Sequence, residues 1–115
     1  MMYEQGKEVP QDDKEAVEWY RKAAEHGNAT AQFTLGTMYD MGQGIPEDDK
    51  EAAAWYRRAA AQGNAAAQTN LGTMYAEGKG VPQEYKEAVA WWRKGAEQGD
   101  AWGQVNLAMM YEQGN

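Results

Sequence analysis

The sequence predicts an all-α protein, a right-handed α-solenoid of antiparallel helix pairs with three 36-residue repeat periods. The first observation behind this is self-similarity. Slid over itself by 36 residues, the chain matches at over half of its positions. Tyr3, Tyr39, Tyr75 and Tyr111 fall in register, as do Gly6, Gly42, Gly78 and Gly114. Pro10, Pro46 and Pro82, then Trp19, Trp55 and Trp91, then Leu35, Leu71 and Leu107 do the same. A fixed period of this length marks stacked supersecondary units, none of which buries its apolar face alone. The second observation is composition. Hydrophobic residues make up 43% of the 115, much of it alanine, with seven Tyr, seven Met, five Trp and one Phe. Helix formers dominate and β-branched residues are scarce, which suits a thin, elongated helical core. The third is the direct step from Gly63 to Asn64, too short for anything but antiparallel helix neighbours.

Element by element, a remnant of a truncated helix is expected at 1–5, followed by helices at about 12–26, 29–41, 48–62, 65–77, 84–98 and 101–113. In the stretch DDKEAAAWYRRAAAQG, Asp48 with Glu51 forms a capping box, Pro46 halts the chain before it, and Gly63 stops the helix. Ala52, Trp55, Tyr56, Ala59 and Ala60 recur at spacings of three and four and make one apolar stripe. Asp12 with Glu15 repeats the start; Glu84 takes the place of the capping Asp in the third unit and should cap less well. Asn28, Asn64 and Asp100 are N-caps for the alternate helices, of which NAAAQTNLGTMYAEG is the middle example. Crossings such as GQGIPEDD and GKGVPQEY then carry the chain to the next unit.

These residues resemble the Sel1-like repeat family, a relative of the tetratricopeptide repeat, over the whole chain. The resemblance rests on AxxxLGxMY, GxGVP, KEAxxWYRKAAEQG and the 36-residue period. It implies a non-catalytic scaffold for protein–protein interaction, of the adaptor kind found mostly in bacteria. Two departures stand out. Glu8 stands where Gly44 and Gly80 stand, which should distort the first crossing, and Gly95 and Gly103 replace Ala, which should loosen the third unit by up to ~1 kcal/mol each. The disulfide of many family members is absent, since the chain has no Cys.

Internal repetition separates scaffold positions from candidate recognition positions. Ala31, Leu35, Met38, Tyr39 and Gly42 recur in the other units as one helical stripe and should pack. Positions 30, 33, 34, 37 and 41 vary and form a second stripe. It holds Thr30, Phe33, Thr34, Thr37 and Met41 in the first unit, and Thr69, Asn70, Thr73 and Glu77 in the next. Trp102, Val105, Asn106, Met109 and Gln113 follow in the last. By the resemblance, this face lines the concave groove that holds a peptide or a partner helix, and these are the candidate contacts. For Phe33 and Trp102 packing between repeats is the competing role. All eleven basic residues lie outside these helices, and Asp40, Glu77 and Glu112 lie near the edge of the face. The expected partner is therefore a protein or peptide segment that is apolar or mildly basic, not an acidic tail.

Other chemistry finds little support. A net charge of −7 disfavours nucleic acid and anionic membranes as partners, and no apolar run is long enough to span a bilayer. With no Ser and no Cys, nucleophilic catalysis has only Thr and Lys to draw on. The single His26 ends a helix, where an imidazolium suits the dipole, and Asp12–Asp13 and Asp48–Asp49 begin helices, where carboxylates do. No cofactor or metal is called for and no enzyme activity is expected. GQG and GKG join helix to helix and lack the strand of a phosphate loop. The alternative function is structural: MMYEQG occurs at 1–6 and again at 109–114, as in an array excised, or designed, at one phase of its repeat. Its two ends are complementary in phase, so copies could stack head to tail.

Overall fold

The computed structural model describes residues 12–113, and within them only helices and the turns between them. The helix remnant expected at 1–5 and the crossing at Glu8 lie outside these residues. The order is α1 (Asp13–Glu25), α2 (Ala29–Met41), α3 (Asp49–Ala61), α4 (Ala65–Glu77), α5 (Tyr85–Glu97) and α6 (Ala101–Glu112). Each helix packs on the next one in the chain, so the body grows in one direction and measures 52 × 26 × 23 Å. It is an all-α repeat solenoid.

The helix ends are chemically specified. Asp12 accepts a hydrogen bond from the Glu15 amide, and Asp48 accepts from the amides of Lys50 and Glu51. Asn28, Asn64 and Asp100 cap α2, α4 and α6 in the same way. Glu84 makes no such bond: its longer side chain does not turn back onto its own helix start, so α5 begins without side-chain help. His26 is the C-cap of α1, with Nδ1 2.7 Å from the Lys22 carbonyl. Gly42 and Gly78 end α2 and α4 at φ of 70° and 69°, a conformation that costs other residues energy.

The helices divide into two kinds. The odd-numbered ones are amphipathic, with lysines and arginines outside. Inside, α3 buries Trp55 and Tyr56 among alanines, α5 buries Ala88, Trp92 and Gly95, and α1 buries Val17 and Ala24 but leaves Trp19 exposed. The even-numbered α2 and α4 run between two neighbours each and bury residues on nearly every side, including Leu35, Met38, Leu71 and Met74. Full burial of each such leucine is worth roughly 1.5–3 kcal/mol, which gives each unit its reason to stack. A polar ladder runs through this layer. Gln32 and Gln68 are buried, donate to the Ala24 and Ala60 carbonyls, and accept from Gln62 and Gln98 of the following unit. Glutamine at this register recurs in every unit, as Gln104 shows by bonding the Ala96 carbonyl.

The tightest contact is between glycine and an aromatic ring. A methyl group at Gly36 would lie 2.8 Å from Tyr56 Cδ1, and one at Gly72 would lie 2.6 Å from Trp92 Cδ1 and 2.9 Å from the Ala88 carbonyl oxygen. These glycines let α2 and α3, and α4 and α5, approach closely. Gly95 and Gly103 do not act as loose points. Both close on Thr69, whose Oγ1 would be 2.3 Å and 2.9 Å from methyls at those positions. They make room for a buried side chain, and the expected loosening is corrected to a requirement of packing.

Two substitutions test this reading by urea denaturation. Gly72→Ala is expected to destabilise by about 1–3 kcal/mol through overpacking, in spite of alanine's better helix propensity. Glu84→Asp is expected to stabilise by about 0.5–1 kcal/mol by restoring the cap. A Gly72→Ala protein as stable as the parent would show that the close approach is not required.

Candidate functional site

The variable stripe of α2, α4 and α6 divides in two once the helices are packed. Phe33, Thr37, Thr69 and Thr73 face the odd-numbered helices. The Phe33 ring lies against Tyr56 with centroids 5.8 Å apart, and Thr37 Oγ1 is 3.1 Å from the Tyr56 hydroxyl. One unit on, Trp92 Nε1 donates to Thr73 Oγ1 at 3.3 Å. Thr69 is 2% exposed and donates to Asp100 Oδ2 at 2.7 Å. Its expected place on an open groove is corrected: Thr69 is interior. Phe33, Thr37 and Thr73 line the seat of the aromatic residue of the next helix, and Thr37 and Thr73 are alike although the occupant changes from Tyr56 to Trp92.

Val105 and Met109 occupy the same socket register on α6 and are 43% and 50% exposed. No described helix follows to cover them. Thr30, Thr34, Met41, Glu77, Trp102, Asn106 and Gln113 range from half-buried to exposed, while half-buried Asn70 is bonded to the Tyr56 hydroxyl. Trp102 is 70% exposed. Thr30, at its register on α2, is also exposed although α3 covers that helix, so this register is open in a covered unit as well.

At the centre of the face is a polar cluster that recurrence alone did not single out. The Tyr56 hydroxyl donates to Asp40 Oδ2 at 3.4 Å and is hydrogen-bonded by Asn70 as well as Thr37. Lys79, from the crossing after α4, reaches back to Asp40 Oδ1 at 3.2 Å. The acidic edge expected from Asp40 is thus partly neutralised by a lysine outside the helices. Burial pushes the Tyr56 phenol above its ordinary pKa, with Thr37 and Asn70 opposing and Asp40 adding to the rise. The bond to Asp40 raises Lys79 against its desolvation. On the far side of the layer, Arg21, Arg57 and Arg93 each donate to a tyrosine hydroxyl of the next helix, at Tyr39, Tyr75 and Tyr111. Those arginines are therefore engaged away from the candidate face.

Among the described residues, no group of three or more His, Asp or Glu side chains is placed to hold a metal ion, and no helix is long and apolar enough to cross a membrane.

The arrangement of capped helix pairs, glycine-closed crossings and Trp-aromatic seams has a counterpart among known proteins. The Sel1 repeat family profile matches residues 1–28, 29–64, 65–100 and 103–115. The chain belongs to the Sel1-repeat family. It is similar to a crystal structure of a protective antigen present in uropathogenic Escherichia coli strains, which displays an SLR fold. That likeness has 44% identity and a TM-score of 0.91 over 96% of this chain and 24% of the other. A Sel1 repeat protein from Oxalobacter formigenes is 43% identical, with a TM-score of 0.88 over 98% of this chain and 46% of that one. Cysteine-rich protein B of Helicobacter pylori is 25% identical, with a TM-score of 0.79 over 84% and 73%. The chain spans less than two thirds of the length of the first two. Curated protein sequences give no match. Sel1-repeat proteins are generally scaffolds for protein interaction and typically non-catalytic.

The cluster has a consequence for alkaline stability. Both folded pKa values lie above the unfolded ones, so both contributions are intact below about pH 10 and fade as pH rises through the folded values. Tyr56→Phe keeps the ring, should cost about 1 kcal/mol at neutral pH, and should make the loss of stability above about pH 10 shallower. Denaturation curves across that range check it; an unchanged slope would show that Tyr56 does not drive the loss.

Proposed function

We propose that this chain holds an apolar or mildly basic segment of a partner protein across the open registers of α2, α4 and α6, anchored by Trp102. The observation that carries this is an indole 70% exposed at a register whose counterparts under a covering helix are exposed at Thr30 and half-buried at Ala66. An exposed tryptophan is costly in water and is among the side chains that dominate binding energies. Met41, also 70% exposed, adds apolar area on the same stripe, and Asn106 can bond an extended backbone, a role Asn70 shares only by giving up its bond to Tyr56. Glu77 and Glu112 lie at its edge with no lysine or arginine in these helices, which disfavours an acidic segment. The socket residues Phe33, Thr37, Thr69 and Thr73 are assigned to the scaffold. Head-to-tail stacking, the other reading that the repeat phase allows, meets alanine and glutamate at seam positions where glycine is needed.

Selection of displayed peptides against the wild-type protein is expected to enrich sequences poor in Asp and Glu. Trp102→Ala should weaken the selected peptides by about tenfold or more, without a comparable change in unfolding midpoint. Enrichment of acidic peptides, or undiminished binding by Trp102→Ala, would move recognition off this face.

A further inference from the structure

The repeat supplies a measured pattern for how one unit covers the next, and α6 departs from it at one atom. The outward face of α6 corresponds to the faces of α2 and α4 that receive α3 and α5. Where those helices have Gly36 and Gly72, α6 has Ala108. A methyl at either glycine would stand 2.6–2.8 Å from the aromatic ring of the covering helix, inside any real carbon–carbon contact. At Gly72 it would also stand 2.9 Å from the Ala88 carbonyl oxygen, which no side-chain rotation relieves. In α1 the aromatic at this register is Tyr20, and Trp19 beside it is 61% exposed. Among the described residues, Trp19 and Tyr20 of α1 and Val105 and Met109 of α6 are exposed, yet these two faces do not fit each other.

We propose that the Ala108 methyl is a steric filter that closes the outward face of α5 and α6 to a helix carrying Tyr or Trp at this register, and so to α1 of a second copy. The crossing that would precede such a helix meets a second obstacle. Gly80 passes over α3 so closely that a methyl there would lie 2.2 Å from the Asp49 carbonyl oxygen, and Gly44 is similarly close to Asp13. In a second copy that place falls to Glu8. The space it would need is the open cavity of about 310 Å3 lined by Tyr85, Lys86, Val89 and Met110. These are the residues one period after Asp49, Lys50, Ala53 and Met74, over which Gly80 and Val81 pass. Two close-contact glycines are thus replaced at the one seam where a second copy would join.

The filter is best tested within a single chain, where the added unit is in phase by sequence. Residues 44–63 appended directly after Asn115 continue the repeat in phase and present a Trp-Tyr helix to α6 at high effective concentration. Hydrogen exchange then reads docking of the added helix. With Ala108 in place its amides should exchange nearly as fast as in the free segment. Ala108→Gly in the extended chain should slow them by at least about tenfold, and so should retaining Ala108 while replacing the added tyrosine by alanine. Equal protection with Ala108 present would overturn the filter, as would lack of protection in both relieved variants. In parallel, sedimentation of the unextended chain should give one-chain mass from micromolar to millimolar concentration. Concentration-dependent end-to-end species would contradict the proposal.

Discussion

The seat of an aromatic ring on a glycine is the contact on which this structure depends. Tyr56 on Gly36 and Trp92 on Gly72 set how closely each odd-numbered helix lies on the even-numbered helix before it. With that spacing fixed, Leu35 and Leu71 reach full burial, and the glutamine ladder from Gln32 to Gln98 runs at hydrogen-bonding distance. Interiors at crystal-like density do not absorb a misplaced methyl group, so the rule is strict wherever a unit is covered. It also bears on the neighbouring positions. Phe33 and Thr37 complete the seat of the Tyr56 phenol, Thr73 bonds the Trp92 indole, and Gly95 and Gly103 accommodate Thr69.

That constraint decides what remains for recognition. Socket positions are used up by stacking, and the arginines on the far side are tied to Tyr39, Tyr75 and Tyr111. The remaining registers, at Thr30, Thr34 and Met41 and their counterparts up to Trp102 and Asn106, can change without disturbing the stack. Under the proposed function, such a scaffold would keep its fold and its partner choice on different residues of the same helices. Lys79 shows the coupling between units: a crossing residue of one repeat trims the charge that Asp40 of the previous repeat offers to the face.

The architecture was legible because the 36-residue period repeats its capping carboxylates, prolines and closing glycines with few exceptions, and each has a local structural meaning. The absent cap at Glu84 and the C-cap role of His26 follow from the same local chemistry. The candidate face was legible only in part. Recurrence identifies positions that must be constant, but a socket whose occupant changes from Tyr56 to Trp92 also varies, and so resembles a free surface. Thr69 is the clearest case, since a polar residue at a variable position proves to be interior. The signal that marks it is the accompanying change to glycine at Gly95 and Gly103, which make room for its side chain. Gln32 and Gln68 are the opposite case: they recur in every unit and are buried, but being polar they fall outside any apolar stripe.

The division of the variable stripe into sockets and open registers is the central claim, and the absence of native cysteine allows a direct test of it. Single cysteines at positions 30, 34, 102 and 106, and separately at 33, 37, 69 and 73, can be followed by their rate of reaction with a thiol reagent. The account predicts near-free rates at 30 and 102, slower ones at half-buried 34 and 106, and the most protected thiols at the second set, with 105 and 109 fast because nothing described covers α6. Equal reactivity at the two sets would contradict it.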